Sequence, residues 1–436
     1  MSGVHSPTPA MAFDADVGVW VTEQVTSLEP SPLDDPAHEA WLQAECRRLL
    51  AFGRRVVHPA GGAAWLDDHG APDLDRPVHA WITSRMVHVH GLGALLGVEG
   101  SASIATAAMN GLQTVLHDAE HGGWFGAVDA SGAPVEEGKS CYAHAFVMLG
   151  ASTGVVAGLP GAERLLAEAT AVFEQRFWDD DAGRPVDEWD RAWTEPAPYR
   201  GLNSTMHAVE ATLAVGDATG DPAWHERAAR MAGLVVDLAS EHEGRLPEHF
   251  GPDWVPDLEL NHDRPDDPFK PYGATVGHGL EWSRLLLHLE ATLGDAAPAG
   301  LLATSRLLFD RAVADGWDVD GAPGFVYTTD WSGTPVVRQR MHWVLAEAIG
   351  AAAALHRRTG EHGYAERYRE WWAYAESFVL DREHGSWHHE LDPANAPRAE
   401  VWSGKPDLYH AVQATLLPRL PLAPGLAHAL AGRAVR

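Results

Sequence analysis

The stretch YGATVGHGLEW, residues Tyr272 to Trp282, joins a glycine-rich loop to an apolar helical run that continues as SRLLLHLEATL. His278 and Glu281 lie three residues apart within it, and at that spacing two side chains share one face of a helix. This predicted helix is therefore apolar along most of its length but polar at its beginning. The same arrangement, a long loop followed by a helix with a polar start, recurs along the chain and predicts the fold.

Apolar residues with a period of 3.6 predict about twelve helices. The segments are 38–54, 76–96, 99–117, 139–157, 161–178, 199–215, 221–240, 275–294, 296–315, 339–360, 363–380 and 405–416. Alternating β-branched runs are short and fall in the connections, as in GFVYTTDW, residues 324–331. The sequence therefore predicts no large sheet.

The connections between these helices alternate in length. Short turns such as LGVEGS (96–101) and ATGDPAW (218–224) lead from each even-numbered helix to the next odd-numbered one. The odd-to-even connections are long and rich in Gly, Trp and Asp: HPAGGAAWLDDHGAP (58–72), HGGWFGAVDASGAP (121–134), FWDDDAGRPVDEWD (177–190), EHEGRLPEHFGPDW (241–254), GWDVDGAPGFVYTTDWSG (316–333) and HGSWHHELDPANAP (384–397). Such regularity indicates a repeat architecture.

Six antiparallel helix pairs with consistent connectivity can close into a ring, with the even helices inside. We therefore predict an all-α fold, an (α/α)6 barrel of six helix pairs whose long loops surround one mouth. Residues 31–436 are predicted to form a single catalytic barrel domain. Residues 1–30 have no periodic pattern, and we expect them to be an N-terminal extension that is partly disordered.

Composition restricts the classes of partner. The 436 residues include 32 Lys plus Arg against 61 Asp plus Glu, a formal net charge of -29, so nucleic acid is excluded as an expected partner. The beginning of the chain lacks the basic and apolar regions of a signal peptide, and no apolar run is long enough to span a membrane. Two cysteines form no disulfide framework. We expect a cytoplasmic protein with no membrane partner, and the oligomeric state stays open, with a homo-oligomer allowed.

Polar residues near the starts of the even helices should converge at the mouth of the barrel. They are Trp81 and Arg85; Tyr142 and His144; Asn203, His207 and Glu210; His278 and Glu281; Arg340 and Glu347; and Asp407 and His410. A ring of such groups suits a polyhydroxylated ligand, because each hydroxyl can both donate and accept hydrogen bonds. Tryptophans of the long loops, including Trp387, add flat apolar faces on which a sugar can stack.

Three other interpretations of these residues are open. The histidines of HVH (88–90), HHE (388–390) and the two His-x-x-Glu pairs could bind a metal, although we predict no metal and no cofactor. A glycoside hydrolase needs only two carboxylates, which Asp190, Glu210, Glu281 or Glu347 could supply. A sugar-binding or protein-binding barrel without turnover is the third. Histidines at the helix starts favour proton abstraction and return at neutral pH, which is isomerase chemistry.

A resemblance to a known superfamily rests on five motifs in the same order: HAWITSRMVHV (79–89), GGWFGAVD (122–129), YRGLNSTMHAVEA (199–211), PYGATVGHGLEWSRLLLH (271–288) and VWSGKPDLYHAVQATLLPRLPLAPG (401–425). They resemble the N-acylglucosamine 2-epimerase superfamily, and within it the aldose-ketose isomerases that act on mannose or sulfoquinovose. The similarity extends from about residue 38 to the C-terminus. The fold of this superfamily is an (α/α)6 barrel, in agreement with the helix count.

The resemblance implies that His278 and His410 are acid/base catalysts in a metal-free reaction through a cis-enediolate. It implies that the sugar is held by Arg85, Tyr142, Asn203, His207, Glu281 and Glu347, to which we add Trp81 and Trp387 as candidate stacking faces. Sulfoquinovose isomerases carry glutamines where this chain has His389 and Pro406. We therefore predict interconversion of D-mannose and D-fructose, and of D-lyxose and D-xylulose, with a sugar 2-epimerase as the alternative.

Overall fold

The computed structural model describes residues 11–14, 19–22 and 31–434, and thirteen α-helices lie in them. The helices are α1 (Pro36–Phe52), α2 (Ala80–Leu95), α3 (Ser101–Leu112), α4 (Cys141–Val156), α5 (Ala162–Val172), α6 (Leu202–Thr219), α7 (Pro222–Glu241), α8 (Val276–Leu293), α9 (Leu301–Gly316), α10 (His342–Thr359), α11 (His362–Tyr374), α12 (Tyr409–Leu416) and α13 (Leu426–Ala434). No helix in this part of the chain is long and apolar enough to cross a membrane.

The even-numbered helices from α2 to α12 contact one another in sequence, and α12 returns to contact α2. Each of them also pairs with an odd-numbered helix, from α3 with α2 to α1 with α12. The even-numbered and odd-numbered helices differ in how much of their surface is buried. For example, α4 is buried on almost every side, whereas α5 buries only one face. The predicted (α/α)6 barrel is therefore confirmed, with the even helices inside.

The amino acids of the short connections explain why the chain can reverse within a few residues. In TGDP, residues 219–222, Gly220 ends α6 with a φ of 72°, a left-handed conformation that glycine adopts without strain. Asp221 then accepts a hydrogen bond from Ala223 N and so caps α7, while Pro222 occupies its first turn. A chain reversal of this kind needs no long loop.

The long connections form small antiparallel sheets of two or three strands over the mouth. The strands of these connections are β3 (Trp65–Leu66), β4 (Pro72–Asp73), β5 (Val78–His79), β6 (Ala127–Val128), β7 (Pro134–Glu136), β8 (Lys139–Ser140), β9 (Trp178–Asp179), β10 (Arg184–Pro185), β11 (Glu188–Trp189), β12 (Arg200–Gly201), β13 (His249–Phe250), β14 (Ala274–Thr275), β15 (Thr328–Thr329), β16 (Pro335–Val337), β17 (Arg340–Met341) and β18 (Glu390–Leu391), whereas β1 (Met11–Asp14) and β2 (Val19–Thr22) precede α1 and pair with each other. Most of these strands immediately precede an inner helix or pair with one that does, so the sheets fix where the inner helices begin.

Buried ion pairs anchor these loops to the barrel. Lys139, just before α4, donates to Asp118 at 2.9 Å, and Lys405, before α12, donates to Asp381 at 2.5 Å. Both lysines are fully buried, and breaking such a pair by removing one partner typically costs about 3–5 kcal/mol. The starts of inner helices are thus held rigidly, which suits a site built from them.

Two details differ from the sequence-based expectation. The predicted helix 405–416 begins only at Tyr409, since Pro406 disfavours a helical conformation in Lys405 and Asp407 Oδ1 accepts from Tyr409 N at 3.0 Å. The thirteenth helix, α13, was not predicted; it follows the barrel and contacts α2 and α4. The predicted extension, residues 1–30, lies outside the described residues except for the antiparallel pair of β1 and β2.

Candidate functional site

A pocket with about 700 Å³ of empty space, open to solvent on one side, lies at the mouth of the barrel. Side chains from the beginnings of all six inner helices reach it. Eight of the ten predicted site residues line it: Trp81, Arg85, Tyr142, Asn203, His207, His278, Glu281 and His410. The barrel therefore brings together residues that are more than 300 positions apart in sequence.

The two predicted acid/base histidines face this pocket, and each has a carboxylate at Nδ1. His410 Nδ1 donates to Glu347 Oε1 at 2.9 Å, which leaves Nε2 to exchange a proton with a ligand. His278 Nδ1 lies 2.9 Å from Glu248 Oε2, although this contact lacks hydrogen-bond alignment. A carboxylate behind an imidazole orients the ring and stabilises its protonated form.

Trp343 packs against both of these histidines. Its ring centroid is 5.2 Å from that of His278 and 5.7 Å from that of His410, at 37° to each. Gly277 makes this position available, since a Cβ there would lie 2.3 Å from the indole. The glycine therefore makes room for the indole of Trp343.

Arg85 supplies a buried positive charge at the pocket wall. It donates from Nη1 to Asp407 Oδ2 and from Nη2 to the Tyr142 hydroxyl, both at 3.1 Å. Burial alone would raise the pKa of Asp407, but Arg85 and the neighbouring His410 and His342 outweigh it and hold that pKa well below its usual range. Asp407 is thus ionised and fixes the direction of the guanidinium.

Two buried glutamates share one arginine below the pocket. Arg284 Nε donates to Glu347 at 2.9 Å, whereas its Nη2 lies 3.6 Å from Glu281. Burial and the charge of Glu347 raise the pKa of Glu281 well above its usual value, while Arg284 and His410 overcome burial and lower that of Glu347. Glu281 therefore carries a proton and can donate it in a hydrogen bond, while Glu347 stays anionic.

The remaining polar groups of the wall are neutral. Burial lowers the pKa of His207 to about 4 and raises that of Tyr142 to about 12. Asn203 Oδ1 is buried and has no hydrogen-bond partner among the described residues. Neutral donors and acceptors with free capacity are suited to the hydroxyl groups of a sugar.

Two predicted ligand-binding residues do not line the pocket. Glu347 is not among the residues that line the pocket, and its contact with the site is the hydrogen bond that it accepts from His410 Nδ1. Trp387 is fully buried, donates from Nε1 to Glu45 and packs against Trp372, so its indole is part of the core.

Two polar residues at helix starts also point elsewhere. His144 accepts from Trp124 N and so holds a loop, and Arg340 pairs with Asp320. The candidate hydrolase carboxylate Asp190 accepts from Thr194 in an exposed loop turn. Of the thirteen residues of the predicted ring, nine line the pocket, and His144, Glu210, Arg340 and Glu347 do not.

Two groups of side chains have the composition of metal ligands. His207, Glu210 and Glu281 form one, and Glu281, Glu347 and His410 form the other, each with its ligand atoms within 4.8 Å of one another. The guanidinium of Arg284 lies beside both and already supplies positive charge to their carboxylates.

The sequence model of the N-acylglucosamine 2-epimerase (GlcNAc 2-epimerase) family matches residues 61–414. The chain belongs to this family. A D-mannose isomerase of Thermobifida fusca is 54% identical over 397 residues, 91% of this chain and 97% of the relative. A D-mannose isomerase of Pseudomonas cannabina pv. alisalensis is 46% identical over 404 residues, 92% and 97% of the two chains. A crystal structure of a D-mannose isomerase superposes with a TM-score of 0.81 at 28% identity, covering 88% of this chain and 99% of that one.

Within the family fold, the structure adds pocket residues that sequence reasoning missed. Trp343, Tyr327 and Phe269 contribute aromatic faces, and His342 stacks on His389 with ring centroids 3.9 Å apart. Glu248 was missed because it lies in a loop, 30 residues before His278. The stretch RQRMHWVLAEA, residues 338–348, contains His342 and Trp343, and their position at the start of a predicted inner helix was the available signal.

Proposed function

We propose that this chain is an aldose-ketose isomerase that interconverts D-mannose and D-fructose. The observation that carries the proposal is the pair of histidines, His278 and His410, that line one pocket and each have a carboxylate at Nδ1. The two D-mannose isomerases that align with nearly the whole chain support mannose as the substrate. The proposed substrate is a monosaccharide, and D-lyxose, which shares the configuration of mannose at C2, is proposed as a second one.

The reaction begins with opening of the pyranose ring, which His278 assists by proton transfer. His410 Nε2 then removes the proton from C2 of the open aldose. The electron pair of the broken C2–H bond forms the C1–C2 double bond, and the C1 carbonyl oxygen becomes the oxyanion of a cis-enediolate. His410 returns the proton to C1 while the C2 hydroxyl loses its proton and becomes the ketone, and the C1 oxygen gains one.

Preorganised charge lowers the barrier to this sequence. Arg85 is positioned as the donor to the developing oxyanion, since Asp407 and Tyr142 fix its guanidinium. Glu347 stabilises the imidazolium that forms when His410 takes the proton. Protonated Glu281, neutral His207 and Asn203 are left to hold the hydroxyl groups of the sugar. None of these steps requires a metal.

The same geometry distinguishes substrates. His389 and Pro406 both line the pocket, and the proline offers no side-chain donor for a sulfonate. We therefore propose that sulfoquinovose is not a substrate. A 2-epimerase would return the proton to C2 from the opposite face of the enediolate, and its product from mannose would be glucose.

The direct test is product analysis after incubation of the purified protein with D-mannose. D-fructose should be the main product, His410→Asn should abolish its formation, and the exposed control His69→Asn should retain it. Both variants should melt at the temperature of the wild type. Glucose as the main product would assign the protein to the 2-epimerases, and unchanged turnover by His410→Asn would refute the assigned base.

A further inference from the structure

One wall of the mouth pocket is a segment without helix or strand, residues 259–272, which we call the wall segment. It lies between β13 and β14, and Pro268, Phe269 and Pro271 within it line the pocket. The ring of Phe269 lies edge-on to three other aromatic rings of the pocket, with centroids 5.4–6.2 Å apart: Trp81, Tyr142 and Trp402. The position of the wall segment therefore sets the shape of the pocket on this side.

The wall segment makes most of its hydrogen bonds internally, as where Asn261 Nδ2 donates to the Lys270 carbonyl at 2.6 Å. In the described part of the chain, its hydrogen bonds to residues outside it are a local one to Asp257 and one to His249. The latter runs from His249 Nε2 to the Pro271 carbonyl at 2.8 Å. His249 is therefore the hydrogen-bond anchor of a segment that is otherwise held by packing.

The two partners of His249 determine which of its ring nitrogens carries the proton. A carbonyl oxygen only accepts, so Nε2 carries the proton, and burial lowers the pKa of His249 and keeps the ring neutral at neutral pH. Nδ1 is then an acceptor, and the Tyr199 hydroxyl donates to it at 2.8 Å. Because a hydrogen bond at one nitrogen of an imidazole sets the protonation of the other, Tyr199 holds His249 in the tautomer that the bond to Pro271 requires.

Tyr199 also contacts the wall segment directly. The Lys270 ammonium lies 4.0 Å from the centroid of the Tyr199 ring, within the range of a cation–π interaction. Tyr199 immediately precedes β12, which pairs with β13 and leads into α6, the helix that supplies Asn203 and His207 to the pocket. Tyr199 and His249 together therefore fix the wall segment relative to the polar side of the pocket.

We propose that Tyr199 and His249 are positioning residues for sugar binding, which act through the Pro271 carbonyl and the wall segment. Neither side chain lines the pocket, so neither contacts the sugar. The sugar is the mannose of the proposed isomerase reaction, on which this role rests. A wall segment released from His249 would have to be ordered in every binding event, and that cost weakens binding. His278 and His410 keep their carboxylate partners, so the chemical step should be unaffected.

Two substitutions of His249 separate its two hydrogen bonds. Asparagine places an amide where Nδ1 lies, so His249→Asn retains a partner for Tyr199 but does not reach Pro271. Glutamine places its amide nitrogen where Nε2 lies, so His249→Gln retains the donor to Pro271. His249→Asn should raise KM for mannose about tenfold, as expected for one lost hydrogen bond, with kcat almost unchanged. His249→Gln should keep KM close to that of the wild type, and Tyr199→Phe, which retains the ring beside Lys270, should raise KM less than His249→Asn.

Hydrogen exchange of the full-length protein, followed by mass spectrometry, tests the anchor without turnover. The amides of residues 259–272 should exchange faster in His249→Asn than in His249→Gln or the wild type. Circular dichroism establishes that each variant folds, and Tyr199→Phe replaces His249→Asn in both measurements if the latter does not. Equal KM values for the two His249 variants, a fall in kcat at unchanged KM, or equal exchange of the wall segment would each overturn the proposal. A wild type that does not convert mannose would refute the proposed function instead, and exchange would still decide whether His249 anchors the segment.

Discussion

Glu347 accepts a hydrogen bond from His410 at 2.9 Å while its other oxygen accepts from Arg284, so one carboxylate both orients the proposed base and is itself held in place. A glutamine at this position keeps the shape but removes the charge that stabilises the imidazolium. We expect Glu347→Gln to lower kcat by about 100-fold with little change in KM. Steady-state kinetics with mannose measures both quantities.

The matched control is Glu45→Gln, because Glu45 is also a buried carboxylate but bonds Trp387, far from the pocket. It should retain wild-type kcat. A Glu347→Gln enzyme with undiminished kcat would contradict the assignment of His410 as the base that this carboxylate supports.

Arg85 provides a second prediction. Its guanidinium is fixed by Asp407 and Tyr142 and is assigned to the oxyanion that forms only after C2 deprotonation. Arg85→Gln should therefore lower kcat by about 100-fold, a typical cost of losing one such donor. Arg48→Gln, at a partly exposed arginine outside the pocket, is the control. An effect confined to KM would show that Arg85 contributes equally to ground-state and transition-state binding.

The fold could be predicted because its signal is repeated. Six long connections alternate with short ones, and an apolar helix follows each long connection. Closure of the helices into a ring can therefore be predicted without knowledge of any contact. The same regularity located most of the site, since residues at equivalent positions of six inner helices must lie at one level. His278 and His410 were brought to one pocket by this geometry alone.

The errors arose where a pattern has two physical causes. Tryptophan in a mouth loop is compatible with sugar stacking and with core packing, and Trp387 belongs to the core. Glu248 could not be predicted, because its approach to His278 depends on the register of a loop.

Stability should fall as the solution becomes acidic. Burial lowers the pKa of seven histidines from 6.5, to about 4 for His79, His88, His90, His207, His288 and His342 and to about 3 for His144. Below pH 6.5 the unfolded chain binds protons that the folded chain does not, so the free energy of unfolding decreases until about pH 4, by up to about 1.4 kcal/mol per pH unit for each histidine. The pKa values of Glu281 and Asp187 are raised by burial, so these two groups make the folded state more stable as the pH falls. They are outnumbered by the histidines.

Urea unfolding at pH 7 and pH 5 checks this expectation. The midpoint should be clearly lower at pH 5, and His90→Gln should show a smaller decrease than the wild type because one of the seven histidines is removed. An equal or higher midpoint at pH 5 would mean that these histidines are not held neutral in the fold.

The proposed mechanism needs no metal, so prolonged dialysis against EDTA should leave the rate of mannose isomerisation unchanged. Adding back Zn²⁺, Mn²⁺ or Mg²⁺ should give no increase. Loss of activity on dialysis with recovery on addition of one of these ions would instead favour an ion at the group of His207, Glu210 and Glu281.

A histidine that removes the C2 proton, exchanges it with solvent and then protonates C1 is tested most directly by incubation with mannose in D2O. NMR of the products should show fructose with solvent deuterium at C1, because a proton held on an imidazole exchanges with solvent before it is returned. Fructose that retains the original C2 hydrogen at C1 with no deuterium, or glucose labelled at C2 as the main product, would contradict the account.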